Sequence, residues 1–131
     1  MRVHSCPAKI FVRFKVPGFH CWPGAPDHRL YLRARHRHLF GFEVSTMVGA
    51  DDREIEFHDL IDFARDCFDW PKNGASVEFG ARSCEMIARQ LAGALARCYQ
   101  RSFVVTVDED GECGATVEAI WIAQADEGPT L

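Results

Sequence analysis

The chain has 131 residues, 47% of them hydrophobic and 26% charged, with a formal net charge of −4. That length holds one domain with a real core, and the ordinary globular composition argues against a disordered chain. An acidic chain is a poor partner for nucleic acid. The opening MRVHSCPAKIFVRF lacks the apolar core of a signal peptide, and no apolar run is long enough to span a bilayer. The expectation is therefore a cytoplasmic protein with no membrane contact.

Residues 8–16 alternate, with Ile10, Val12, Phe14 and Val16 facing one way, which predicts a half-buried strand. The next segment, PGFHCWPGAPDHR, carries three prolines and two glycines and reads as a long loop holding His20, Cys21 and His28. A second strand is predicted over about residues 36–48. Its even positions, His36, His38, Phe40, Phe42, Val44, Thr46 and Val48, share one face. GADD at 49–52 is a turn, and REIEF starts a returning strand. Residues 58–69 show Leu60, Phe63, Ala64, Cys67 and Phe68 at helical spacing. WPKNGASVEFGAR breaks that pattern. Ser83 then caps a second helix over about 84–100, with Glu85 in its first turn and Ile87, Leu91, Leu95 and Cys98 on the buried face. Two strands, 103–109 and 115–123, close the domain around the turn residues Asp110 and Gly111.

The element order is ββααββ, which predicts an α+β fold: an antiparallel four-stranded sheet with two helices on one face. A single domain spans residues 1–131, with 1–7 and 124–131 peripheral. So small a sheet leaves two edges open, and pairing them between subunits is one way to protect them. Cys6, Cys21, Cys67, Cys84, Cys98 and Cys113 are scattered and form no C-x-x-C, so neither a disulfide framework nor a cysteine zinc site is expected.

His36-Arg37-His38 sets two imidazoles on one strand face, about 6.6–7 Å apart along the backbone. Neutral imidazole is a common zinc ligand, and three histidines with one open position make a catalytic arrangement. His20 in the loop is the candidate third ligand. The competing reading takes His36 and His38 as solvated residues at a strand mouth, flanked by Arg33, Arg35 and Arg37. Phe103, Val105, Val107 and Glu109 share a strand face, so a carboxylate ends an apolar row. Such a group can accept two parallel hydrogen bonds from the N–H/NH2 edge of a pterin or guanine ring. It can equally be an exposed acid beside Asp108 and Asp110.

Taken together, these motifs resemble the family of 6-pyruvoyl-tetrahydropterin and 6-carboxytetrahydropterin synthases, which have the T-fold. The matching residues are His20, then His36-Arg37-His38, IEFHDL at 55–60, Ser83-Cys84-Glu85 at the second helix, and Glu109. The resemblance covers roughly residues 8–119. It implies Zn2+ on His20, His36 and His38, with a pterin or purine-like ligand held by Glu109, Ser83 and Glu85. It also implies a homo-oligomer, a trimer or hexamer, with sites at subunit boundaries. The implied reaction is a lyase-type one on dihydroneopterin triphosphate or a related precursor.

The chain departs from the family at the proton-moving groups. The cysteine that family members carry four residues before His-x-His is Leu32 here. The Asp-His pair after the first helix falls on Asp69-Trp70, which keeps the aspartate's place and loses the histidine. Candidate replacements are Cys21, whose thiol would ionise more readily near a dication, and His28, beside Asp27. Each also has a plain reading, as a packed thiol and a solvated loop residue. The same departure leaves open a divergent protein that binds a pterin or guanine-type nucleotide without that chemistry, with Trp70 stacking on the ring. Arg33, Arg35 and Arg37 are either triphosphate contacts or solvated charges.

Overall fold

The computed structural model describes residues 1–68 and 76–123. Five strands, β1 (Ala8–His20), β2 (His36–Val48), β3 (Val77–Gly80), β4 (Phe103–Glu109) and β5 (Cys113–Ala119), form one sheet in the order β3-β1-β2-β4-β5. Helices α1 (Phe57–Asp66) and α2 (Cys84–Tyr99) pack on one face, and a short 3-10 helix spans Asp27–Leu32. The sheet is mixed, because β3 runs parallel to β1 while every other pair is antiparallel. The four-stranded antiparallel sheet read from the sequence is corrected by that one short strand. Its alternation, Val77 and Phe79 inward with Glu78 outward, is only four residues long and lies inside a stretch rich in turn formers.

β1 runs four residues further than expected, through Pro17 to His20. Proline is tolerated there because β3 pairs with β1 only from Gly18 onward, so Pro17 sits where β1 lacks its second neighbour. The consequence is functional: His20 ends a strand and is not a loop residue. The returning strand expected from REIEF does not form. Instead the Glu54 carboxylate accepts the N–H groups of Gly49 and Ala50, and Glu56 caps α1 by accepting from Asp59 N–H at 2.6 Å. Those local bonds turn the chain directly into the helix.

The core lies between the helices and the inward row of the sheet. Val12, Phe14 and Val16 of β1, Phe40, Phe42 and Val44 of β2, and Phe103, Val105 and Val107 of β4 meet Leu60 and Ala64 of α1 and Ile87, Leu91 and Leu95 of α2. Each fully buried Leu, Ile or Phe contributes about 1.5–3 kcal/mol relative to exposure. Cys98, expected on the buried face of α2, is exposed. Tyr99 takes that place, packed against Phe63 and Phe103. Ser83 caps α2 as expected, its Oγ accepting from Met86 N–H at 3.2 Å. Among the described residues nothing covers the opposite sheet face, where Phe11 and Met47 are half-exposed beside the Arg13–Glu43 ion pair.

Candidate metal centre

The antiparallel register of β1 and β2 sets His20 opposite His36 and Gly18 opposite His38. All three histidines therefore project from the helix-covered face at the mouth of the hairpin. Their rings stand edge-on to one another, with centroids 4.6, 5.2 and 5.0 Å apart. Beneath them lies Phe40, 5.1 Å from the His20 ring and 5.6 Å from that of His38, and Phe40 in turn rests on Phe79. Gly18 permits this layer. A Cβ there would come within 2.6 Å of the Phe79 ring and 3.0 Å of Phe40.

Each imidazole is oriented through Nδ1. In His20 it lies 3.0 Å from the Arg82 carbonyl, in His36 2.9 Å from the Ala34 carbonyl, and in His38 2.7 Å from the Asp110 carboxylate. Those oxygens only accept, so each Nδ1 carries a proton and, in a neutral ring, Nε2 keeps the lone pair. An outer carbonyl or carboxylate that fixes the tautomer is the arrangement found around metal-bound histidines. One ligating atom from each of the three lies within 4.8 Å of the other two. His38 Nε2 is buried without a hydrogen-bond partner, which costs stability unless something ligates it. Burial also holds the His20 imidazole below its usual pKa, which favours the neutral form that ligation requires. These residues fit a divalent ion.

Glu109 closes the cluster from β4, where it pairs with Phe40. Its carboxylate lies 3.2 Å from His20 Nε2 and 3.6 Å from His38 Nε2. The thiols of Cys84 and Cys113 donate to it over 3.7 and 4.0 Å. Burial, and then the neighbouring Glu109 charge, push the Cys84 thiol up to about 12, so it stays protonated. Asp110 and Gly111, with φ of 58° and 74°, make the tight turn between β4 and β5, closed by Glu112 N–H on the Glu109 carbonyl at 3.0 Å. That turn swings the Asp110 side chain back onto His38 and onto Leu39 N–H at 2.8 Å. Hydrogen bonds from Leu39 N–H and then His38 keep the Asp110 carboxyl below its usual pKa.

Of the sequence candidates, the structure brings together His20, His36, His38 and Glu109. Ser83 and Glu85 flank Cys84 at the start of α2; Ser83 is engaged as the cap and Glu85 is exposed. Cys21 follows His20, half-buried, its N–H donated to the Gly80 carbonyl at 2.9 Å. His28 is exposed on the 3-10 helix, and Leu32, half-buried, ends that helix. Asp69 and Trp70 lie outside the described residues. Arg33 binds Asp27 and the Ala25 carbonyl; Arg35 binds Glu78 and stacks on Phe19. Cys84, Cys113 and Asp110 were not singled out as site residues from the sequence. Asp110 carried one usable signal, an Asp-Gly turn directly after the strand-end acid.

No protein-family model matches the chain, and no curated protein matches it. Solved structures do. The 6-pyruvoyl tetrahydropterin synthase of Plasmodium vivax superimposes with a TM-score of 0.58 at 13% identity, covering 88% of this chain and 99% of that one. Two catalytic-residue mutants of that enzyme match with the same TM-score and coverage at 12% identity. The chain has the fold of that synthase, the T-fold.

Proposed function

We propose that the chain is a divergent zinc-dependent enzyme of pterin or deazapurine-precursor metabolism, acting on dihydroneopterin triphosphate or a relative. The observation that carries this is the convergence of three imidazoles beside a carboxylate at one sheet end. His20, His36 and His38 would hold the ion, which as a Lewis acid would acidify hydroxyl groups of a bound side chain. Phe40 and Phe79 keep water from beneath the rings, and Arg82, Ala34 and Asp110 fix their tautomers. Glu109, at the end of an apolar row, is suited to accept an N–H/NH2 ring edge, with Ser83 and Glu85 as further ligand-binding residues. Asp69, Cys21 and His28 are the candidates for moving protons. The two open sheet edges, β3 and β5, and the uncovered face with Phe11 and Met47 favour a homo-oligomer, a trimer or hexamer.

The test is release of triphosphate from 7,8-dihydroneopterin triphosphate. We expect turnover by the zinc-loaded protein and none by His36→Ala; no release by the zinc-loaded protein contradicts the enzyme reading. A second reading is favoured by Leu32, a half-buried apolar residue where the family has its proton-moving cysteine. On it the protein binds a pterin or guanine-type nucleotide without that reaction. Saturable pterin binding with no turnover would select it.

A further inference from the structure

Of the triplet Ser83-Cys84-Glu85 at the start of α2, it is the middle side chain that meets Glu109. Ser83 commits its hydroxyl to the Met86 N–H, and Glu85 is exposed. The cap fixes the first turn, so Cys84 stands buried at the first helical position with its thiol 3.7 Å from Glu109 Oε1. Cys113 approaches the other oxygen, Oε2, at 4.0 Å, from the strand position directly opposite Glu109. One carboxylate thus has a thiol on each oxygen, brought there by two different elements.

Each carboxylate oxygen has two lone pairs, enough for an S–H donor and one half of a ring edge bound at both oxygens. An S–H group is a weak donor, so it orients the carboxylate without competing strongly with a ligand's N–H. Burial, and then the Glu109 charge, keep the Cys84 thiol protonated and able to donate. We infer that Cys84 is a positioning residue, whose S–H holds Glu109 turned to the mouth of the histidine cluster for a ligand with an N–H/NH2 edge. This rests on the proposed role of Glu109 and deepens it. An acceptor held in place before the ligand arrives lowers the ordering cost of binding. It also selects a pterin or guanine edge over a ring with a carbonyl in place of the amino group, since that oxygen would face the carboxylate with no proton between them.

The test measures binding to the full chain of pterin and of lumazine, the same ring system with a carbonyl in place of the amino group. We expect the wild type to prefer pterin and Glu109→Gln to lose that preference. Cys84→Ala removes the donor and should weaken pterin binding about 5-fold, the worth of one ordinary hydrogen bond, while lumazine binding stays as it is. Cys84→Val, which refills the space without a donor, should do the same, and Cys84→Ser, which keeps a donor, should restore pterin binding; circular dichroism confirms each fold. If the alanine and valine variants bind pterin like the wild type, or lose pterin and lumazine alike, the inference is overturned and the role of Glu109 stands. A Cys84→Ser protein that binds as weakly as Cys84→Ala overturns it equally. If the wild type shows no preference for pterin, or Glu109→Gln keeps that preference, the role of Glu109 falls and takes this inference with it.

Discussion

Asp110 offers the sharpest test of how the second strand's mouth is organised. Its carboxylate accepts two N–H groups at once, from Leu39 at 2.8 Å and from His38 Nδ1 at 2.7 Å. Asn in its place tolerates the positive φ of 58°, so the turn survives. An amide, however, has one acceptor oxygen and two N–H donors. If that oxygen serves Leu39, the amide N–H groups face His38 Nδ1, and the ring shifts its proton to Nε2, the ligating atom. Loss of an outer partner of this kind costs about 10–100-fold in metal affinity, or roughly 1.4–2.8 kcal/mol. Competition for Zn2+ against a chromophoric chelator measures it, with circular dichroism confirming the fold. Zinc affinity in Asp110→Asn equal to wild type would refute the claim that this carboxylate sets the tautomer of His38.

Other perturbations reach the scaffold. Phe79 is fully buried under Phe40, so Phe79→Ala should cost about 3–5 kcal/mol in urea unfolding, and a cost under about 1 kcal/mol would deny β3 its packing role. Ser83→Ala should lose about 1 kcal/mol of stability through the α2 cap while leaving zinc affinity unchanged. The Glu54 carboxyl is held below its usual value of 4.5 by its bond from Arg101 and then by Gly49 N–H. A depressed carboxyl stabilises the fold above its unfolded pKa and loses that contribution as pH falls through the folded one. Part of the acid destabilisation below about pH 4.5 should therefore vanish in Arg101→Gln; an unchanged profile of melting temperature against pH would contradict it.

Long periodic segments were legible in the sequence because burial on one face imposes a period. The rows Val12-Phe14-Val16 and Phe103-Val105-Val107 and the Ile87-Leu91-Leu95 stripe fall where the pattern put them. The joint presence of His36 and His38 on the Phe40 face followed from the same period of two. What escaped was set by partners distant in sequence. β3 exists because Val77 and Phe79 have β1 and Phe40 to lie against, not because four residues specify a strand. REIEF looks like a strand, but the local bonds of Glu54 and Glu56 turn it into the helix entry, and Arg101, 47 residues away, then holds Glu54 in place. His20 was read as a loop residue because Pro17 and Gly18 look like turn formers, whereas an edge position and a close aromatic approach are what place them in β1. The Cys84 thiol reaches Glu109 from α2, 25 residues away, whereas Cys113 lies opposite it across the β4–β5 turn.

The central claim is that His20, His36 and His38 share one divalent ion. Crystals of the zinc-loaded protein, with anomalous data collected on both sides of the zinc edge, address it directly. The account predicts one strong anomalous peak per chain among the three Nε2 atoms, absent from His36→Ala crystals grown in the same zinc. No peak there in the loaded wild type, or an equal one without the His36 ring, would contradict it.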